Sequence, residues 1–165
     1  MGPADEIVAI VDEDNNVVDA VPRREVRARR LPHRCTYVLV FNSRGELYIQ
    51  KRARAKDVLP GYYEVAGGVV LAGESYEAGA ARELAEELGI TDVLLTRLFD
   101  FYFADEQARI WGRAFSCAYD GEIVLQEEEV ESGAFMRVEN VLRLAATGRI
   151  TPDVLLVLQR HFDAG

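Results

Sequence analysis

Residues Gly68–Ile90 read GVVLAGESYEAGAARELAEELGI, and the rest of the chain is best read outward from them. The fixed spacing is Gly68, five residues, Glu74, seven residues, then Arg82-Glu83-Leu84-Ala85-Glu86-Glu87-Leu88-Gly89-Ile90. Ser75 to Leu88 follows a helical period. With Ala81 as origin, Ala78, Leu84, Ala85 and Leu88 fall within about 60° of one line, whereas Glu86, Glu83 and Glu87 fall at about 140°, 200° and 240°. Residues three and four apart are neighbours on a helix, so the three carboxylates crowd one face. Gly89 follows the last apolar position, where a left-handed residue ends a helix cheaply.

A solvated acidic face is the plain alternative. Clustered glutamates repel one another, which serves solubility poorly. A divalent cation removes that repulsion, and hard cations take oxygen ligands. Gly68 and Gly73 bracket the loop before the helix, where backbone must approach something closely. Arg82 can pair with Glu74 or Glu86 and orient the carboxylates. A merely solvated helix requires neither the glycines nor the arginine.

With Ala85 and Leu88 as free positions, all nine specified positions of the pattern are met. Chance agreement in a chain of this length has a probability on the order of 10⁻⁷. The pattern resembles the Nudix box, the metal-binding signature of hydrolases that cut diphosphate linkages. The similarity extends to Leu31-Pro32-His33-Arg34, to the hairpin ending at Lys51-Arg52, to Pro60-Gly61-Tyr62-Tyr63 and to Leu125-Gln126-Glu127-Glu128-Glu129-Val130. It covers residues 6–138 and resembles the Nudix branch related to isopentenyl diphosphate isomerase, which also contains bacterial hydrolases.

The resemblance implies an α/β/α sandwich with a mixed sheet, and one domain over residues 1–165. Residues 1–30 form an N-terminal hairpin extension, and residues 68–90 the box. Gly68 (through its carbonyl), Glu83, Glu86 and Glu87 are the implied ligands of Mg²⁺ or Mn²⁺. Glu83, Glu86, Arg82 and Glu129 are the implied catalytic group, and no organic cofactor is implied. The general base is a box Glu or a carboxylate from a distant loop. Glu129, beside apolar Val130, is the distant-loop residue best placed by resemblance, with Glu127 and Glu128 as alternatives. The implied reaction is hydrolysis of a diphosphate linkage in a nucleoside-diphosphate-type or other organic diphosphate. The rival is isomerisation, but Ala66 and Gly68 stand where the isomerase carries Cys and His, and neither moves a proton. A silent ligand sensor is the third reading; such proteins commonly lose a box carboxylate, and this chain keeps all of them.

Composition sets the outer bounds. The 165 residues are 49% apolar and 28% charged, as in an ordinary globular domain. No apolar run is long enough to span a bilayer, and the acidic N-terminus lacks a secretory pattern. Met1-Gly2 lacks the Ser or Thr of a myristoylation site. Cys35 and Cys117 read as buried structural thiols, and the location as a reducing cytoplasm. Residues 23–56 carry eleven Lys/Arg against Glu25 and Glu46, whereas the whole chain has a net charge of −9. Some of these arginines are expected to meet substrate phosphates or to be solvated surface. The acidic balance argues against nucleic acid; the resemblance implies a small-molecule diphosphate as the partner and is compatible with a homodimer. Tyr62, Tyr63, Phe101, Phe103 and Trp111 are core residues or a stacking platform for a base. At Asp105-Glu106-Gln107-Ala108 the downstream markers of ADP-ribose and dinucleoside-polyphosphate subfamilies are missing.

The remaining pattern predicts hairpins at Ile7–Val11 with Val17–Val21 and at Thr36–Phe41 with Glu46–Lys51. A short helix is expected over Arg23–Arg30, and a loop over Asp57–Tyr62. A strand is expected within Tyr63–Val70, and further strands at Val93–Tyr102, Ile110–Ala118 and Ser132–Val138. Helices follow at Val141–Ala146 and Pro152–Phe162, the latter with Thr151 as cap.

Overall fold

The computed structural model describes residues 3–56 and 58–163. Met1-Gly2 and Asp57, the first residue of the expected loop, lie outside the described residues. A 3-10 turn (Pro3–Asp5) leads into the hairpin of β1 (Ile7–Val11) and β2 (Val17–Pro22), then α1 (Arg23–Arg29). The hairpin turn is closed by Asp12, whose Oδ1 accepts from the N–H groups of Asp14 and Asn16 at 2.8 and 3.0 Å. The chain continues through β3 (Pro32–Phe41), β4 (Leu47–Arg52), β5 (Tyr63–Glu64), β6 (Ala66–Val69) and α2 (Tyr76–Leu88). It ends with β7 (Thr96–Ala104), β8 (Arg109–Ala118), β9 (Val130–Met136), α3 (Val138–Ala145) and α4 (Pro152–Asp163).

The sheet is mixed. β3 lies at its centre, parallel to β8 and antiparallel to β1, β4 and β6. Val38, Leu39 and Val40 of β3 are buried on both faces, as a central strand demands. One face packs Val38, Val40 and Phe115 against Ala80, Leu84 and Leu88 of α2. The other packs Tyr37, Leu39 and Ile49 against Val26 of α1, Val141 of α3, and Val154, Val157 and Leu158 of α4. This is the expected α/β/α sandwich with an N-terminal hairpin.

Several boundaries shift, each for a tertiary reason. β3 begins at Pro32 rather than Thr36, because it pairs with β8 along its whole length. The strand expected within Tyr63–Val70 splits: β5 pairs with β4, and β6 crosses over to β3. β9 starts at Val130, opposite Arg52 of β4, and Val138 already belongs to α3. The Thr151 hydroxyl is buried without a hydrogen-bond partner, so it is not the side-chain cap expected for α4.

Candidate active site

The box helix α2 is held at both ends. Ser75 Oγ accepts from Ala78 N–H at 3.0 Å, and Gly89, at φ 68°, closes the last turn. Its apolar side sits in the core described above, so its glutamates face β6 and a cavity of about 580 Å³. They are not equally placed. Glu87 is 5% exposed, and the side chains of Glu83 and Glu86 are 15% and 50% exposed. Burial, the plain opposite of a solvated face, is thus the rule for two of the three.

β6 pairs with β3 alone among the described strands, which leaves its other edge facing the cavity. Val70 N–H donates to Arg34 O at 2.9 Å, so alternation makes Thr36–Gly68 a hydrogen-bonded pair and Tyr37–Gly67 a non-bonded one. The open-edge groups are taken by box side chains. Gly67 N–H donates to Glu87 Oε1 at 2.9 Å, and Val69 O accepts from Arg82 Nη2 at 3.0 Å. The Gly68 carbonyl is therefore turned toward β3, where Thr36 Oγ1 donates to it at 3.3 Å. The Gly68 carbonyl expected as a ligand therefore faces β3, whereas Gly67 shares the open edge with Glu87. Two glycines are needed here for different reasons. Gly67 sits at φ +144°, and a Cβ there would lie 2.0 Å from Thr36 O; at Gly68 a Cβ would lie 2.8 Å from the Glu83 carboxyl.

Arg82 organises the acidic face. Its Nε and Nη2 donate to Glu74 Oε2 and Oε1 at 2.7 and 3.0 Å, a two-bond fork. Its Nη1 donates to Glu83 Oε1 at 2.7 Å and to Glu86 Oε2 at 3.4 Å. Glu74 also accepts from Leu71 N–H at 2.8 Å, which pins the loop ahead of the helix. Burial pushes Glu74 up, but the bonds from Arg82 and Leu71 outweigh it and leave the carboxyl below its ordinary value. Arg82 therefore touches three carboxylates and orients them.

Further residues complete the cavity. Glu64 is half-buried beside Glu87 and accepts from Arg52 Nη1 at 2.8 Å. Gln50, wholly buried, donates through Nε2 to Glu87 and Glu64 at 3.3 and 3.4 Å. Lys56 pairs with Glu129. Glu129 lines the cavity, whereas Glu127 and Glu128 are exposed. Arg23, Cys35, Tyr37 and Asp153 also line it, and Tyr37 donates to Asp153 at 2.7 Å. Sequence reasoning did not single out Glu64, Gln50 or Asp153. Arg23, Arg52 and Lys56 were legible only as members of the basic stretch. Cys35, read as a structural thiol, does line the cavity, but burial pushes its thiol up and keeps it protonated. None of Tyr62, Tyr63, Phe101, Phe103 or Trp111 lines it; Phe101 packs on Tyr37 and Trp111 on Tyr102.

The donor set suits a hard divalent cation in chemistry. Burial pushes Glu83 up to about 7 against the pull of Arg82. Burial, then the charges of Glu64 and Glu83, push Glu87 well up, and burial raises Glu64 against Arg52. Mutually repelling carboxyls drawn out of water are what a cation would relieve. As they stand, no three of them converge closely enough to hold an ion among the described residues. Arg82 occupies Glu83 and Glu86, so gathering the ligands requires those side chains to turn.

A sheet enclosed by helices, with this acidic helix at an open strand edge, defines a hydrolase of phosphoric anhydrides built on the Nudix fold. Residues 31–156 match the NUDIX domain. An uncharacterised Nudix hydrolase of Pseudomonas aeruginosa is 43% identical over 160 residues, covering 96% of this chain and 95% of that one. The Nudix hydrolase YfcD of Escherichia coli is 41% identical over 154 residues, covering 93% of this chain and 84% of its own. The crystal structure of DR0079 from Deinococcus radiodurans superposes with a TM-score of 0.83 at 24% identity, over 94% of this chain and 98% of that one. The chain belongs to the Nudix hydrolase family, whose members act on phosphoric anhydrides and generally use divalent metal ions. No helix among the described residues is long and apolar enough to cross a membrane.

Proposed function

We propose that the whole chain acts as one metal-dependent domain that hydrolyses the diphosphate linkage of a small organic diphosphate. The observation that carries this is a single cavity lined both by the carboxylates Glu83, Glu86, Glu87 and Glu129 and by the cations Arg23, Arg52 and Lys56. Carboxylates are suited to a cation and a water; guanidinium and ammonium groups are suited to phosphate oxygens.

Glu83, Glu86 and Glu87, with the Gly67 carbonyl, would hold Mg²⁺ or Mn²⁺. A bound divalent cation neutralises the diphosphate and lowers the pKa of an attacking water. Arg82 keeps the carboxylates oriented and does not touch the phosphorus. Glu129, paired with Lys56, takes the proton of the water. Water attacks one phosphorus in line, the bridging oxygen leaves with the other phosphate, and a phosphate monoester and inorganic phosphate result.

We assign the chain to the branch similar to isopentenyl diphosphate isomerase, as a hydrolase within it. Ala66 and Gly68 supply no acid or base for isomerisation, and the intact carboxylate set argues against a silent sensor. Among the described residues Tyr37 is the one aromatic side chain of the cavity lining, and it is buried with its hydroxyl bonded to Asp153, which favours a substrate recognised by its phosphates over one gripped by base stacking. We take the location to be cytoplasmic, consistent with two free cysteines. A homodimer is compatible with β2, whose Val17 and Val18 are exposed on an outer strand.

The test is a panel of nucleoside, sugar and isoprenoid diphosphates incubated with protein and Mg²⁺, with products separated by chromatography. Release of a monophosphate, abolished by EDTA, is expected. Deuterium uptake into isopentenyl diphosphate without hydrolysis of any compound would count against the proposal.

A further inference from the structure

We propose that Arg23 is a substrate-binding residue, delivered to the cavity by the segment that precedes the NUDIX-matched residues, and that its guanidinium takes a phosphate oxygen of the diphosphate. This rests on the hydrolase reading above.

Arg23 is the first residue of α1 and lies outside residues 31–156. It nonetheless lines the same cavity as the box glutamates, with a side chain only 21% exposed. Its positive charge is close enough to act on Glu83. The residue next to it, Arg24, instead turns outward, with a side chain 60% exposed in an ion pair with Asp5.

Helix stability does not explain Arg23. A cation in the first turn opposes the helix dipole, which favours anions there. An ion pair explains it only partly. Its one carboxylate partner among the described residues is Glu6, at 3.4 Å, long for a charge-assisted bond. A guanidinium carries five donors in a fork, so one long bond leaves most of its capacity unused. The other two cavity cations are better engaged. Arg52 donates to Glu64 at 2.8 Å and to Val58 O at 3.0 Å, and Lys56 is paired with Glu129. Arg23 is thus the cation most available to an incoming anion, and it can exchange its weak bond to Glu6 for a two-bond contact with phosphate.

Its backbone is anchored independently of its side chain. Arg23 N–H donates to Glu6 O at 2.8 Å, so substitution of the side chain leaves the entry to α1 in place. The experiment is calorimetric binding of methylenediphosphonate, a non-hydrolysable diphosphate mimic, to the full-length protein in Mg²⁺. Arg23→Gln is expected to raise Kd about tenfold to hundredfold, the loss of a charged hydrogen-bond partner. Arg24→Gln is expected to stay within about twofold of wild type, as an exposed pair should. Melting temperatures, measured alongside, should be unchanged. Should Arg23→Gln fail to fold, Arg23→Lys decides: about threefold weaker binding is expected from loss of the fork. Wild-type affinity in Arg23→Gln, or in Arg23→Lys when that variant decides, overturns the assignment. If wild-type protein binds no methylenediphosphonate and hydrolyses no diphosphate, the hydrolase reading fails and Arg23 with it. If wild type binds and hydrolyses while Arg23→Gln does the same, only the Arg23 assignment fails.

Discussion

Arg82 grips Glu74 through two parallel hydrogen bonds, at 2.7 and 3.0 Å, across eight residues of chain. The same guanidinium reaches Glu83 and Glu86, so one side chain sets the positions of three carboxylates. Lys cannot reproduce a fork. Arg82→Lys is expected to lower kcat about tenfold to hundredfold, and excess Mg²⁺ should recover part of the loss. Steady-state kinetics across a Mg²⁺ titration checks this. A defect confined to KM and insensitive to metal would instead put Arg82 on the substrate phosphate.

Glu87 and Glu86 should separate stability from chemistry. Glu87 is buried and forms no ion pair among the described residues, so Glu87→Gln is expected to leave the metal-free melting temperature unchanged or raised. Both Glu86→Gln and Glu87→Gln should lower kcat by several orders and reduce the stabilisation that Mg²⁺ confers on wild type. Thermal melts with and without EDTA, beside the kinetics, provide the check. Full activity in EDTA would reject a metal-dependent reaction.

Glu129 lines the cavity while its two acidic neighbours do not. Glu129→Gln is expected to lower kcat about a hundredfold or more with little change in KM. Glu127→Gln and Glu128→Gln should remain close to wild type. Equal effects at all three positions would mean that the turn acts through its net charge.

The two glycines of β6 should respond differently to Ala. At Gly67 the new Cβ meets a backbone carbonyl, which cannot yield, and the φ is unfavourable as well. A loss of about 3 kcal/mol or more is expected in urea melts of Gly67→Ala. At Gly68 the Cβ meets the Glu83 carboxyl, which can turn aside. Gly68→Ala should cost activity before it costs stability.

Asp100 gives a pH prediction away from the site. Burial pushes its carboxyl up, but the bonds and charges of Arg113 and Arg97 outweigh this and leave it below its ordinary 3.8. A depressed carboxyl contributes stability above the unfolded value and loses it as pH falls through the folded one. Asp100→Asn should therefore cost up to about 1 kcal/mol at neutral pH, discounted for solvent screening, and less as pH falls below about 4. Urea melts at several pH values check the sign.

Much of the fold was legible along the chain. The hairpin of β1 and β2, the box helix and the final helix are local patterns, set by turn chemistry and apolar period. Arg82 and the three box glutamates were legible too, because helical spacing fixes which side chains share a face. What the sequence could not determine was which carbonyl of β6 faces the cavity. That depends on register with β3: a pairing alternation turned the Gly68 carbonyl inward and left Gly67 on the open edge. Glu64, Gln50 and Asp153 were equally illegible, since they come from three elements joined only by sheet order and helix packing. Nor could spacing tell Glu129 from Glu128, or Arg23 from Arg24. Neighbours in sequence point different ways, and only the folded backbone decided which side chain entered the cavity.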